Sequence, residues 1–122
     1  MAVLLLVVDD SPTETHRFKE LLTKHGYEII VASNGADGVA MAKQNKPDAV
    51  LMDVVMPGLN GFQATRQITR DPDTKDIPVI IVTTKDQETD RIWGERQGAK
   101  GYLVKPVSDN DLLNTISKIL AA

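Results

Sequence analysis

Five apolar runs of strand length, each followed by a stretch that can form a helix, constrain this chain more than any other feature. They are Val3 to Val8, Ile29 to Ala32, Ala49 to Met52, Val79 to Val82 and Tyr102 to Val104. Strands that alternate with helices are joined by crossovers, which gives an α/β domain built on a parallel sheet. Three of the runs are continuously apolar, as strands covered on both faces should be. Phe18, Leu21, Leu22 and His25 recur at helical spacing and mark the first helix, which Gly26 ends. Leu112, Leu113, Ile116, Ile119 and Leu120 mark the last. Gly35 to Asn45 and Gly61 to Arg70 read as middle helices, closed by Pro47 and by Asp71-Pro72. The fourth helix, Gln87 to Gln97, has only Ile92 and Trp93 as large apolar residues. Its hold on the sheet is expected to be the weakest, which makes it the candidate moving part.

The 122 residues are expected to form one domain, 1–122, large enough to fold without a disulfide or metal staple. The lack of cysteine removes thiol chemistry and Cys-ligated zinc, and fits a reducing, cytoplasmic setting. Ala2 to Val8 is too short to span a bilayer, and with no basic leader it is not a secretory signal, so no membrane insertion is expected. A net charge of −3 without a Lys/Arg cluster disfavours direct DNA binding.

In an open parallel sheet, ligands bind beyond the carboxyl ends of the strands. The residues there are Asp9 and Asp10, Asp53, Thr83 and Lys105. Any one of the acids or the hydroxyl could simply cap the following helix. At Asp9 and Asp10 that explanation weakens, because Ser11-Pro12-Thr13-Glu14 already reads as a capping box with proline at the first helical position. Three carboxylates gathered at about 4 Å would cost several kcal/mol per pair, so a cation is expected among them. Hard oxygens without His or Cys suit Mg²⁺, which keeps several waters and is usually completed by a phosphate. Lys105 could hold a further phosphate oxygen, and Thr83 could donate to one more. Asp53, alone before a glycine-bearing loop, is the expected acceptor of a phosphoryl group, and Asp9 and Asp10 suit the metal.

Val7-Val8-Asp9-Asp10-Ser11, Leu51-Met52-Asp53-Val54-Val55-Met56-Pro57-Gly58, Ile81-Val82-Thr83 and Tyr102-Leu103-Val104-Lys105-Pro106 resemble the response-regulator receiver domain of two-component signalling. The resemblance covers essentially the whole chain. It implies a flavodoxin-like (CheY-like) five-stranded sheet of order 2-1-3-4-5 with helices on both faces. It also implies an aspartyl phosphate at Asp53. Mg²⁺ would be held by Asp10, Asp53 and the Val55 carbonyl, with Asp9 helping partly through water. Lys105 would bridge to the phosphoryl group and be followed by a cis bond to Pro106. On phosphorylation Thr83 would move toward the phosphoryl oxygen and Tyr102 would turn inward, remodelling the face made by the fourth helix, fifth strand and fifth helix. The implied partners are a sensor histidine kinase of the CheA type and a downstream target protein on that face. Self-phosphotransfer and self-dephosphorylation are the only reactions implied.

With no output domain after Ala122, the chain is expected to be a stand-alone receiver and a monomer. Gly58 to Gln67, Thr83 to Asp90 and Trp93 to Ala99 resemble receivers that regulate type IV pilus twitching. Where many receivers carry a small residue after the switch hydroxyl, this chain has Thr84 and then Lys85, which bears on access to the pocket. The Val55 side chain cannot orient a water, so Val55→Asn is expected to change the lifetime of the acyl phosphate; equal dephosphorylation rates would reject this. His16 and His25 fall on opposite faces of one helix and read as surface or cap residues. Met52 and Met56 read as core filler. Trp93 reads first as a packing residue, with an exposed binding anchor as the alternative.

Three other readings compete. A receiver that never takes phosphate could be a constitutive docking module, against which the full set of five polar residues argues. A phosphatase of the haloacid dehalogenase type needs a second acid two positions after its nucleophile, where this chain has Ser11. A flavodoxin needs a hydroxyl-rich first loop, and this acidic one would repel a flavin phosphate.

Overall fold

A computed structural model describes residues 2–122. Five strands, β1 (Leu4–Val8), β2 (Glu28–Ala32), β3 (Ala49–Met52), β4 (Val79–Thr83) and β5 (Gly101–Val104), form one parallel sheet in the order β2-β1-β3-β4-β5. The helices between and after them are α1 (Pro12–Lys24), α2 (Gly35–Asn45), α3 (Gly61–Arg70), α4 (Glu88–Arg96) and α5 (Asp109–Ala121). The architecture is the α/β one that the alternation predicts, and the strand order is the one that the resemblance implied.

The two-residue period of a strand sends alternate side chains to opposite faces. Leu5 and Val7 pack with Phe18 and Leu22 of α1 and with Leu112 and Ile116 of α5. Leu6 and Val8 face the other way, toward Ala42 of α2 and Ala64 and Ile68 of α3. β1, β3 and β4 are almost wholly buried, while β2 and β5 form the edges and remain partly exposed. Glu28 joins β2 although it is polar, because an edge position lets its side chain reach solvent while its amide donates to the Val3 carbonyl at 2.9 Å.

Other details test the sequence reading. His25, counted in the α1 stripe, is exposed at the helix end, where its ring nitrogen lies 3.0 Å from the Leu21 carbonyl oxygen. His16 is also exposed, beside Glu20, so both histidines are the surface and cap residues expected. Met52 and Met56 are buried in the core. Trp93 does not pack inside: it is 48% exposed and its neighbour Ile92 43%. The only buried residue of α4 is Gly94, so this helix meets the sheet through its smallest side chain. Ile92 and Trp93 are adjacent in sequence and cannot both join Gly94 on one face, which is why the packing reading of Trp93 fails.

Candidate functional site

The sheet register assembles the site. Val8 of β1 pairs with Met52 of β3, so the next residues, Asp9 and Asp53, leave neighbouring strands side by side. Their amides continue the ladder: that of Asp53 donates to the Val8 carbonyl at 2.9 Å and that of Asp9 to the Ala32 carbonyl at 3.1 Å. Thr83 pairs with Val104, and the Lys105 amide donates to the Thr83 carbonyl at 2.8 Å. The Lys105 side chain then reaches back across β4. Its Nζ lies 2.7 Å from Asp9 Oδ2 and 3.7 Å from Asp53 Oδ2. Asp9, Asp10 and Asp53 each present a carboxylate oxygen within 4.8 Å of the others. The Lys105–Pro106 bond is cis, as implied.

Asp9 is 3% exposed and both of its oxygens are engaged: the Ser11 amide donates to Oδ1 at 2.9 Å and Lys105 to Oδ2. This corrects the capping box read at Ser11 and Glu14. Ser11 Oγ accepts from the Glu14 amide at 3.3 Å, but the reciprocal contact to the Ser11 amide comes from Asp9. Glu14 instead turns toward Arg17, at 3.9 Å. Asp9 therefore serves the helix start and the site together, a double role that the Ser-x-x-Glu pattern concealed. A complete box does form at α3, between Asn60 and Gln63.

Asp53 is 8% exposed. Its Oδ1 accepts from the Val54 amide at 2.8 Å. Burial holds its carboxyl above the usual carboxylate range, opposed by the Lys105 ammonium and reinforced by the negative Asp9; the Val54 amide and the Thr83 hydroxyl pull the other way. A raised folded-state pKa means that stability from this group is present at low pH and is lost as pH rises through that value. Without divalent ions at neutral pH, Asp53→Asn is therefore expected to be more stable than the parent protein. The gain should shrink toward pH 4; urea melts at both pH values check this.

Asp10 is exposed and projects its oxygen into the same cluster. The donor set is all hard oxygen, one member is strained by its own charge, and one ammonium faces three carboxylates. That combination fits a small divalent cation such as Mg²⁺. The Val55 side chain is 57% exposed, so it does not cover the acids. Thr84 is likewise exposed.

Thr83 is fully buried and its Oγ1 accepts from the Lys85 amide at 3.4 Å. Tyr102 is half-buried beside Val54, Phe62 and Ile81. Its hydroxyl donates to the Lys85 carbonyl at 2.9 Å, and the Arg91 guanidinium lies 5.3 Å from its ring centre. Burial pushes the phenol up to about 12, so it stays a donor at any physiological pH. Tyr102→Phe should cost about 1 kcal/mol and loosen the segment between β4 and α4; thermal melting and amide exchange at Lys85 measure both.

Two contributors carried no sequence signal. Arg17 donates to the Val107 carbonyl and pairs with Asp109 at 3.1 Å, tying α1 to the loop after Lys105. Gly61, the first residue of α3, lies against the Asp53 backbone: a methyl group there would stand 2.7 Å from the Asp53 carbonyl carbon.

The response regulator receiver domain family matches residues 5–117. Protein PilH of Pseudomonas aeruginosa is 64% identical over 117 residues, which is 96% of this chain and 97% of that protein. Chemotaxis protein CheY4 of Vibrio cholerae superposes with a TM-score of 0.92 at 29% identity, over 98% of this chain and 99% of that one. The receiver domain of sensor histidine kinase PA1611 from Pseudomonas aeruginosa, solved with a magnesium ion in its active-site cleft, gives a TM-score of 0.92 at 27% identity with both chains fully covered. The chain spans 24% of the length of response regulator PleD of Caulobacter vibrioides and 52% of that of transcriptional regulatory protein AfsQ1 of Streptomyces coelicolor. Motif, strand order and matched length agree: the chain belongs to the response regulator receiver domain family.

Proposed function

We propose that the protein is a phosphorylation-dependent switch whose acceptor is Asp53 and whose metal ligands are Asp10, Asp53 and the Val55 carbonyl, with Asp9 assisting. The observation that carries this is the state of Asp53: a buried carboxylate held against two other acids with Lys105 within 3.7 Å. Its Oδ1 is engaged by the Val54 amide, which leaves Oδ2, on the lysine side, as the attacking oxygen. As the new P–O bond forms, the donor's bond to phosphorus breaks and its leaving group departs with the electron pair. Mg²⁺, when bound, neutralises charge on the transferring group. Lys105 leaves Asp9 to meet a phosphoryl oxygen, and Thr83 donates to another. Tyr102, freed from Lys85, turns inward and changes the α4, β5 and α5 face.

The proposed donor is a sensor histidine kinase of the CheA type, and the proposed target a protein bound on that face. The likeness to PilH supports control of type IV pili and twitching, or a chemotaxis-like pathway. We place the protein in the cytoplasm as a monomer; no helix among the described residues is long and apolar enough to cross a membrane.

Incubation with Mg²⁺ and acetyl phosphate should give an acid-labile phosphoryl group on Asp53, and a beryllofluoride adduct should shift Thr83 and Tyr102. No label, or silence at both residues, would overturn the reading. Mg²⁺ at about ten times its Kd should stabilise the protein by about 1.4 kcal/mol, an effect that Asp10→Asn should reduce. Thermal melts with and without the ion check this.

A further inference from the structure

Asp9, Asp53, Thr83 and Lys105 stand at or just beyond the carboxyl ends of strands. Asp48, Pro78 and Lys100, by contrast, immediately precede β3, β4 and β5. At that opposite end of the sheet, Arg70, Lys75, Arg96 and Lys100 surround a cleft of about 380 Å³ in which Asp76 is the only carboxylate. A second hollow of about 570 Å³ shares Asp76, Pro78 and Lys100 with it and adds Lys118, Asp48 and the apolar Ile119 and Leu120. Five side-chain cations thus meet two side-chain carboxylates and the terminal Ala122 on a chain whose total charge is −3.

Helix dipoles account for part of this, since Arg70, Arg96 and Lys118 lie in the last turns of α3, α4 and α5. They do not account for Lys75 and Lys100, which come from loops. Nor are these charges spent internally. The ion pairs among the described residues lie elsewhere, joining Arg17, Lys43, Lys85 and Lys105 to their acids. Gln97, only 6% exposed, also lines the cleft.

We propose that this connected groove is a docking site for an acidic protein segment that also carries apolar side chains. The carboxylates would meet Arg96, Lys100 and the Gln97 amide, and the apolar residues would rest on Pro78, Ile119 and Leu120. The surface is concave, which suits a chain segment better than a bilayer. Its lining contains no aromatic ring on which a base could stack, which argues against single-stranded nucleic acid. Arg forks match carboxylates bidentately, and complementary charge of this kind governs both partner choice and encounter rate.

The test is an NMR titration of the full chain with a short synthetic peptide of alternating glutamate and leucine. Amide shifts should concentrate at Arg70, Lys75, Arg96, Gln97 and Lys100, and binding should weaken as salt is raised. Arg96→Glu combined with Lys100→Glu should reduce affinity about tenfold or more, with phosphorylation of Asp53 unchanged. If that pair fails to fold, Lys75→Glu with Lys118→Glu, both exposed, gives the same comparison. Shifts confined to other surfaces, or equal affinity after charge reversal, would overturn the proposal. So would tighter binding at these residues of anionic phosphatidylglycerol vesicles or an RNA oligonucleotide. Failure here would leave the Asp53 chemistry untouched, because the two sites lie at opposite ends of the sheet.

Discussion

Asp53→Asn is expected to lose the acid-labile phosphoryl group entirely, at least about a hundredfold below the parent protein, since an amide is a far weaker nucleophile than a carboxylate. The neighbouring acids should not rescue it. Asp9 already has one oxygen on the Ser11 amide and the other on Lys105. Asp10 is exposed, where a carboxylate has less to gain from the lysine. Asp53 alone combines burial, a lysine at 3.7 Å and an Oδ2 that takes no backbone amide. Mass spectrometry after incubation with acetyl phosphate and Mg²⁺ measures the outcome. Equal labelling of the variant would remove the switch reading and favour a constitutive docking module. The same substitution should stabilise the metal-free protein, so loss of label cannot be ascribed to unfolding if the melts are run together.

Gly61→Ala is expected to destabilise the protein by about 3 kcal/mol and to weaken Mg²⁺ binding as well. Its added methyl would stand 2.7 Å from both the Asp53 carbonyl carbon and the Val54 Cα, and would strike the Asp53 carbonyl oxygen. These are backbone atoms with no rotamer to change, so either the start of α3 or Asp53 itself must move. The Gly61 amide also donates to the Val54 carbonyl at 3.0 Å, which prevents the helix from simply lifting away. Gly26→Ala provides the comparison. At φ +89° with nothing within 4 Å, it should cost only about 1 kcal/mol and leave the ion's affinity alone. Thermal unfolding with a Mg²⁺ titration separates the two; equal losses in both variants would mean that close approach to Asp53 is unimportant.

The sequence was most legible where hydrophobicity is periodic. Continuous apolar runs marked β1, β3 and β4 because those strands are buried on both faces, and their ends pointed at once to the clustered acids. It was less legible at edges, where Glu28 enters a strand through its backbone alone. It left Trp93 undecided, because a nine-residue helix with two adjacent apolar residues does not say which of its faces meets the sheet. It concealed the second role of Asp9, since Ser-x-x-Glu describes a common local motif while the partner actually used lies upstream, at a strand end. Contacts such as Lys105 with Asp9, 96 positions apart, are set by strand order, which local patterning alone does not fix.

Because the lone indole of the protein sits on the solvent side of α4, its emission reports on that helix without any added dye. Docking of a target there would take water away from the ring and shift the spectrum to the blue. A titration read in an ordinary fluorimeter would follow the proposed output face directly, uncomplicated by a second tryptophan in this chain.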